Sequence, residues 1–382
     1  MDLIRLGDIA TYINGYAFKP KDWREKGIPI IRIQNLNDPN KEYNYFDGEI
    51  DSKYLVNEGD ILISWSASIG VYEWRGQQGV LNQHIFKVDF NKIKIDKKYF
   101  KYIVSIALNR ALQYMHGSTM KHITKQYFDN ILIPVPLFDQ QIKIANILDQ
   151  AQELIDKRKA QIEALDELIQ SVFYDMFGDP GLNSKGWETG RISDIIVKTQ
   201  YGTSTKANET EGEYAVLRMN NITYSGNWDF KSLKYVDLDE KDRKKYLVYK
   251  GEVLFNRTNS KELVGKTAVY KREEPMAYAG YLVKATPNNR ANGQFIASYM
   301  NTKYTKSLLF NMAKNIVGMA NINAEEFKNI KVYIPPIEIQ DQFAEIVENI
   351  EKQKELLNES LVELENNFNS LMQRAFNGGS LR

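Results

Sequence analysis

The sequence has no cysteine, only three histidines and no long apolar run in its 382 residues. Without cysteine it can form no disulfide scaffold and no cysteine-ligated zinc or iron–sulfur site. The histidines, His84, His116 and His122, lack metal-ligand spacing, so we expect surface or loop roles for them and no metal site. No segment reaches the length of a membrane span and no secretory leader opens the chain, which favours a soluble, cytoplasmic protein without membrane contact.

Familiar catalytic motifs are missing as well. Residues 260–267, SKELVGKT, look like a phosphate-binding loop, but Ser260 stands where that loop needs glycine. We find no nucleophile elbow, no dinucleotide fingerprint and no Asn-Pro-Pro-aromatic signature of an amino-methylating enzyme. The sequence therefore predicts a non-catalytic chain, and any nucleotide chemistry is expected in other chains.

What the sequence does contain is a heptad seam that occurs twice, with every position of the second copy 199 residues after the first. Spacings of four and three are typical of long helices that pair along an apolar stripe. Each seam has one polar occupant, Arg158 in the first and Lys354 in the second, and we predict that these two residues fix the register of the helix pair. The first seam comprises Ile144, Leu148, Ala151, Ile155, Arg158, Ile162, Leu165, Ile169, Val172 and Met176, and the second Phe343, Val347, Ile350, Lys354, Leu357, Leu361, Leu364, Phe368, Leu371 and Ala375.

Shorter motifs repeat ahead of each seam, in the same order. The opening LGDIA at 6–10 matches ISDII at 192–196, and the strands IIRIQNL at 30–36 and VLRMNNI at 216–222 follow. GDILIS at 59–64 then matches GEVLFN at 251–256, where a glycine and an acidic residue predict a tight turn feeding a buried strand. This order predicts two related domains, 1–139 and 178–337, with helices at 140–177 and 338–377 and a flexible tail at 378–382.

Charge is divided unevenly, although the chain as a whole carries only +1. The first domain has 18 basic and 16 acidic side chains, the second has 24 and 17, and the two helices together have 7 and 16. A basic surface suits a polyanion, whereas acidic helices suit a protein partner. Only the second domain is distinctly basic, and a solvated surface of mixed charge explains the first about as well.

Loops rich in hydrogen-bonding side chains are the candidate DNA contacts. Arginine pairs with guanine edges and asparagine with adenine, while serine and threonine serve bases or phosphates. Ordinary turns are the alternative for the first loop of each domain, and for Arg32 and Arg218, which lie on strands, a salt-bridged supporting role is equally open. The candidates are Tyr16, Phe18, Lys19, Arg32, Ser64, Ser66 and Ser68 in the first domain, and Tyr201, Thr203, Ser204, Lys206, Arg218, Asn256, Arg257, Thr258, Asn259, Ser260 and Lys266 in the second.

Taken together, these motifs resemble the specificity subunit of type I restriction-modification systems. The resemblance rests on the two domain openings, on GEVLFNRTNSKELVGKTAV at 251–269, and on the junctions PVPLFDQQIKIANIL at 134–148 and PPIEIQDQFAEIV at 335–347. It covers essentially the whole chain. The duplicated order of these short motifs is more specific than any one of them.

The resemblance implies an α/β (α+β) fold in which two pseudo-symmetric target-recognition domains are joined by two long helices that form an antiparallel coiled coil. It implies a DNA reader without catalytic activity, each domain binding half of a split double-stranded target. The implied partners are two methyltransferase subunits, which use S-adenosylmethionine to methylate adenine, and two restriction subunits, which use ATP and Mg. A structural coiled-coil scaffold with protein- or sugar-binding domains is the alternative.

Overall fold

A computed structural model describes residues 2–38, 40–114, 123–316 and 319–377. His116, His122 and the predicted tail at 378–382 lie outside the described residues. The chain forms two compact units: unit 1 comprises Met1–Lys159 with Glu359–Arg382, and unit 2 comprises Ala160–Asn358. Within the described ranges, no helix combines the length and the apolar character needed to cross a membrane.

Unit 1 contains the body of the first domain. Its strands are β1 (Asp2–Arg5), β2 (Thr11–Asn14), β3 (Ile28–Ile31), β4 (Asn44–Phe46), β5 (Leu55–Val56), β6 (Ile61–Ser64), β7 (Gly70–Glu73), β8 (Gly79–Leu81), β9 (Ile85–Asp89) and β10 (Leu132–Val135). Its helices are α1 (Leu6–Ile9), α2 (Ile33–Asn37), α3 (Lys97–Tyr114), α4 (Lys125–Asp129), the first half of α5 (Phe138–Phe177) and the second half of α11 (Ile337–Phe376), with short 3-10 turns at Pro20–Asp22 and Ser52–Tyr54.

Unit 2 contains the body of the second domain. Its strands are β11 (Glu188–Arg191), β12 (Ile196–Tyr201), β13 (Tyr214–Leu217), β14 (Lys234–Val236), β15 (Leu247–Val248), β16 (Val253–Asn256), β17 (Thr258–Asn259), β18 (Thr267–Val269), β19 (Met276–Tyr278), β20 (Leu282–Pro287), β21 (Lys314–Ile316), β22 (Met319–Asn321) and β23 (Lys331–Ile334). Its helices are the second half of α5, α6 (Ile192–Ile195), α7 (Glu240–Tyr246), α8 (Gly293–Met300), α9 (Lys303–Met312), α10 (Ala324–Lys328) and the first half of α11 (Ile337–Phe376), with a 3-10 turn at Met219–Asn221.

Each sheet described in unit 1 has a counterpart in unit 2. The antiparallel order β2-β9-β6-β7 matches β12-β20-β16-β18, and β4-β3-β8-β5 matches β14-β13-β19-β15. In the second pair of sheets the middle strands are parallel, β3 with β8 and β13 with β19. Unit 2 also has the sheet β17-β22-β21. The matching stretch of unit 1 includes residues 115–122, which lie outside the described residues. The predicted duplication and mixed α/β class are confirmed.

The predicted turn before each buried strand is present. Gly59 and Gly251 have φ values of 82° and 87°, a left-handed conformation that glycine adopts without steric cost. Each is followed by an acidic residue and then by β6 or β16, whose residues are all buried. The acidic side chains accept a backbone N–H from two residues before the glycine: Asn57 donates to Asp60 at 2.9 Å, and Tyr249 to Glu252 at 2.9 Å.

The long helices begin and end within two residues of their predicted bounds, and every seam position is buried or half-buried. In unit 2, Phe343 of α11 packs against both Phe173 and Phe177 of α5, with ring centroids 5.6 and 5.3 Å apart. In unit 1, Lys159 forms an ion pair with Glu365 at 2.9 Å. Because later residues of α5 meet earlier residues of α11, the helices are antiparallel, as predicted.

The polar seam residue Lys354 has a specific partner. Its ammonium forms an ion pair with Asp166 of α5, which also accepts a hydrogen bond from Asn227 at 3.1 Å. The side chain of Lys354 is only 13% exposed, so this pairing offsets the cost of placing a charge in the seam. The neighbouring seam residues Ile155, Ile162, Leu357 and Leu361, together with Arg158, are buried or half-buried as well.

A buried glutamine connects the start of each long helix to the domain body. In unit 1, Gln141 donates to the Pro136 carbonyl at 2.8 Å and accepts the Asp96 N–H at 2.9 Å. In unit 2, Gln340 donates to the carbonyls of Pro335 at 2.7 Å and Arg290 at 3.0 Å and accepts the N–H of residue 292 at 2.9 Å. Neither glutamine has more than 1% exposure, so these bonds satisfy groups that water cannot reach.

Candidate nucleic-acid interface

The residue that follows β6 or β16 occupies the same backbone framework in both units. In unit 2, the Arg257 N–H donates to the Tyr281 carbonyl at 3.0 Å, and its carbonyl accepts the Ile322 N–H at 2.9 Å. In unit 1, the Trp65 N–H donates to the His84 carbonyl at 3.2 Å, and its carbonyl accepts from residue 123 at 3.1 Å. Trp65 and Arg257 are therefore structural counterparts.

A glycine loop beside this position is also duplicated. Gly15 and Gly202 each cross close to a neighbouring strand, because a Cβ would lie 1.9 Å from the Asn82 carbonyl oxygen in unit 1 and 2.3 Å from that of Ala279 in unit 2. Only glycine allows this approach of two backbones. The next residue, Tyr16 or Thr203, donates its N–H across the contact at 2.8 or 2.9 Å.

In unit 2, three neighbouring residues contact the planar guanidinium of Arg257. The guanidinium lies over the Tyr201 ring, 4.9 Å from the centroid, and donates to the Gly280 carbonyl at 3.4 Å and to the Asn321 Oδ1 at 3.3 Å. The Tyr201 hydroxyl accepts the Ala324 N–H at 3.0 Å, which fixes the ring. Both arginine bonds are longer than the usual N–H···O distance, so these contacts orient the guanidinium and leave it donor capacity for a ligand.

The rest of the asparagine-rich loop borders this arginine. Thr258 and Asn259 form β17, in which Thr258 pairs with Asn321, and Ser260 begins the turn that follows. All three residues are half-buried. The structure thus brings four predicted contacts, Arg257 to Ser260, together at one sheet end.

The first loop of unit 2 is divided between exposed and buried residues. Tyr201, Ser204 and Lys206 are exposed. Thr203 is 4% exposed, and its hydroxyl oxygen accepts the Thr205 N–H at 3.1 Å. This hydroxyl closes the turn, so its burial argues against direct contact with a ligand.

Two further predicted contacts of unit 2 are internal. Lys266 is 7% exposed and donates to the carbonyls of Met219, at 2.8 Å, and Ile222. Burial lowers the pKa of this lysine. Asn256 is fully buried and precedes Arg257, and its side-chain amide has no hydrogen-bond partner among the described residues. We assign Lys266 to support of the 3-10 turn rather than to phosphate binding, and Asn256 to the layer beneath Arg257.

Unit 1 shows the same division. Tyr16, Lys19 and Ser68 are exposed and Ser66 is half-buried, whereas Ser64 is fully buried and donates its hydroxyl to the Ser68 carbonyl. The Ser64 hydroxyl therefore shapes the turn instead of facing a ligand. Phe18, the remaining candidate of this loop, is buried against Phe46, with ring centroids 5.2 Å apart.

Trp65 lies between the predicted contacts Ser64 and Ser66 but is not itself among the predicted contacts. Its indole N–H donates to the Asn14 Oδ1 at 3.3 Å, and its ring contacts His84 edge-on at 4.8 Å and stacks on Phe86 at 5.7 Å. Only the alignment of the two repeats at Asn256 and Ser64 could have revealed it, since that alignment places Trp65 opposite Arg257.

Arg32 and Arg218 act as hydrogen-bonded supports. Arg32 donates to the Asn44 Oδ1 at 2.9 Å and lies 5.3 Å from the Trp23 ring, while Arg218 donates to the Ser232 carbonyl at 2.6 Å. Three residues after each arginine, a buried asparagine, Asn35 or Asn221, accepts its backbone N–H. This arrangement favours the supporting role over base contact.

In the described part of the chain, no group of three or more histidine, aspartate or glutamate side chains is placed to hold a metal ion. Unit 2 has one further cationic cluster, in which Lys306 lies 3.5 Å from the Tyr224 ring centroid and donates to the Tyr224 carbonyl. Burial, together with the charge of Lys266, lowers the pKa of Lys306 to about 8.

Known proteins share this architecture. The type I restriction-modification DNA specificity domain matches the chain twice, over residues 1–164 and 184–366. The EcoBI specificity subunit of Escherichia coli is 23% identical over 98% of this chain and 85% of its own length.

Two solved structures share the fold over nearly the whole chain. One is a chain from a type I restriction-modification system, with a TM-score of 0.61, 15% identity and coverage of 98% and 97% of the two chains. The other is the S subunit of such a system from M. genitalium, with a TM-score of 0.55, 15% identity and coverage of 98% and 96%. With two matches to the family domain that together span most of its length, this chain belongs to the type I restriction-modification DNA specificity family.

Proposed function

We propose that the chain is the DNA-reading subunit of a type I restriction-modification complex and that each unit reads one half of a split target in double-stranded DNA. The observation that carries this proposal is a duplicated backbone framework that presents different side chains, Trp65 in unit 1 and Arg257 in unit 2. A shared framework with different side chains at its tip suits two related ligands that are not identical. The basic excess of unit 2's domain adds attraction to phosphate.

Partner subunits supply the chemistry in this proposal. We expect two methyltransferase subunits that bind S-adenosylmethionine and methylate adenine, and two restriction subunits that use ATP and Mg. The acidic long helices are the surface proposed for them, because 16 acidic against 7 basic side chains suit a protein partner better than DNA.

The experiment that tests the proposal is an exchange of residues 1–139 for the matching domain of a relative, in the complex with its methyltransferase. Mapping methylated adenines should show that one half of the target changes and the other stays. If both halves change, the two-reader assignment fails. If the assembled complex shows no salt-dependent DNA binding, the alternative of a scaffold with protein- or sugar-binding domains takes its place.

A further inference from the structure

We propose that the residue after the buried strand is the base-reading position of each unit, with Arg257 selecting a guanine in one half-site and Trp65 contacting a thymine methyl group in the other. This inference rests on the proposed function and adds the chemistry of recognition. It predicts that the two half-sites differ in kind at this position, one read by a cationic hydrogen-bonding fork and the other by an apolar ring.

The equivalence extends from the backbone to the side-chain neighbours. The side chain of Arg257 lies on Tyr201, the residue before Gly202, and the side chain of Trp65 bonds to Asn14, the residue before Gly15. Thus each reading side chain is held by the last residue of the strand that enters the glycine loop. A substitution at this one position changes the presented chemistry while the framework bonds stay in place.

The surroundings of Arg257 suit a guanine edge. The Tyr201 ring, the Gly280 carbonyl and the Asn321 Oδ1 fix the plane of the guanidinium, and the residue is half-buried. A planar fork held in one orientation matches the paired O6 and N7 acceptors of guanine. The same fork also fits a phosphate, and the salt dependence measured below separates the two ligands.

The surroundings of Trp65 favour an apolar contact. Trp65 is half-buried and its single N–H is donated to Asn14, so the exposed part of its ring offers apolar carbon atoms to a base. Stacking on Phe86 and edge contact with His84 hold that ring in one orientation. Among the bases, only thymine offers a methyl group in the major groove, and apolar side chains recognise it there.

The test uses the full chain in complex with its methyltransferase, and maps methylated adenines on a random DNA library. Arg257→Gln should remove the guanine requirement at one position of a single half-site, with discrimination falling roughly 5- to 150-fold. Arg257→Lys should lose most of it too, since a point charge cannot form the fork. The other half-site should be unchanged.

Trp65→Ala is the reciprocal variant and should relax a T·A pair in the other half-site, while Trp65→Phe should retain that pair. Arg290→Ala, in the same unit as Arg257 and paired on the surface with Glu188 at 2.7 Å, is the matched control and should leave the target unaltered. Melting curves and complex assembly identify any variant that fails to fold, in which case Arg257→Lys and Trp65→His, whose polar ring should also relax the T·A pair, carry the test.

Three outcomes would overturn the inference. One is an unchanged target in both Arg257→Gln and Trp65→Ala. Another is a uniform loss of binding to all sequences with a smaller salt dependence, which would place Arg257 on phosphate. The third is relaxation of both half-sites by a single variant. None of these affects the domain exchange, so a failure here is distinguishable from a failure of the proposed function.

Discussion

The two units share one backbone framework but differ in the side chains packed on it. The difference is clearest where α3 and α8 face the long helices. Gln141 accepts the N–H of residue 96, and Gln340 accepts that of residue 292. The residues six positions later, Tyr102 of α3 and Ser298 of α8, are therefore equivalent in the two units. Tyr102 fills its space: its ring lies 6.2 Å from that of Phe368, and its hydroxyl donates to Asp149 at 2.6 Å. In unit 2, Ser298 and Ile169, the seam counterpart of Phe368, line a cavity of about 490 Å³.

This comparison shows which features the repeat maintains and which it leaves variable. Backbone hydrogen bonds around the strand ends, the buried glutamines and the glycine turns are the same in both units, because each satisfies buried polar groups or a close backbone approach. Side-chain volume between the helices and the domain body differs, because a cavity costs stability but does not alter the framework. The same separation allows Trp65 and Arg257 to differ at the tip.

The largest effect is expected from shortening the two long helices. This change tests whether the helices set the spacing between the two half-sites. The variant lacks one heptad of each helix at facing positions, Ile162–Leu168 and Lys352–Asn358. This deletion removes both partners of the ion pair between Lys354 and Asp166. The rest of the seam stays in phase. The helices shorten by roughly 10 Å, about three base pairs, which also turns the DNA by about a quarter turn or more.

We therefore expect the variant to methylate a target with a shorter spacer and the same half-sequences, or to lose specific binding while remaining folded. Adenine mapping on a library of random spacers distinguishes these results. Full activity on the original spacer would show that the helices do not set it.

The next prediction exchanges the side chains at the two equivalent positions, Tyr102 and Ser298. Tyr102→Ser in unit 1 opens the space that Ser298 leaves in unit 2, and should lower the free energy of unfolding by about 3 to 5 kcal/mol through the lost ring contacts and the cavity. Ser298→Tyr in unit 2 should be neutral or stabilising, because the cavity is larger than the added ring. Denaturant unfolding measures both. Equal destabilisation by the two variants would contradict the pairing of these positions.

A smaller effect sharpens the comparison of the buried glutamines. Gln141→Leu and Gln340→Leu each leave buried backbone groups unpaired, at a cost of roughly 1 to 3 kcal/mol for each such group. Gln340 bonds to two carbonyls and one N–H, whereas Gln141 bonds to one of each, so the unit 2 variant should be the less stable. Thermal melting of both variants checks the order, and a lower melting temperature for Gln141→Leu would contradict it.

The sequence predicts a feature when the residues that form it are close together in the chain, and fails when they are far apart. Heptad spacing and the glycine turns depend on neighbours in the chain, so the long helices, the buried strands after the glycine turns and the duplication could be predicted. The strands predicted at 30–36 and 216–222 are wrong beyond Ile31 and Leu217, where a helix and a 3-10 turn follow. Whether a polar residue faces outward depends on distant partners: Lys266 points inward because the carbonyls of Met219 and Ile222 receive it. The match of 59–64 with 251–256 aligns Trp65 with Arg257, but the contacts of the Trp65 side chain come from Asn14, His84 and Phe86, which are distant from it in the sequence.

The smallest expected effect concerns the register of the helix pair. Lys354 is paired with Asp166 and Arg158 is half-buried in the seam, and a polar group in such a seam penalises slipped alignments at some cost in stability. Changing Arg158, Lys354 and Asp166 together to leucine removes the ion pair as a whole, and replacing such a pair by apolar residues is often neutral or stabilising. We therefore expect a slightly higher melting temperature together with alternative alignments, seen as extra distance populations between spin labels on the two helices. Lys354→Leu alone is the matched control: it leaves the Asp166 carboxylate with Asn227 as a remaining partner, and should not raise the melting temperature. A triple variant that melts lower than the parent and keeps one distance population would show that packing of the apolar seam fixes the register without these residues.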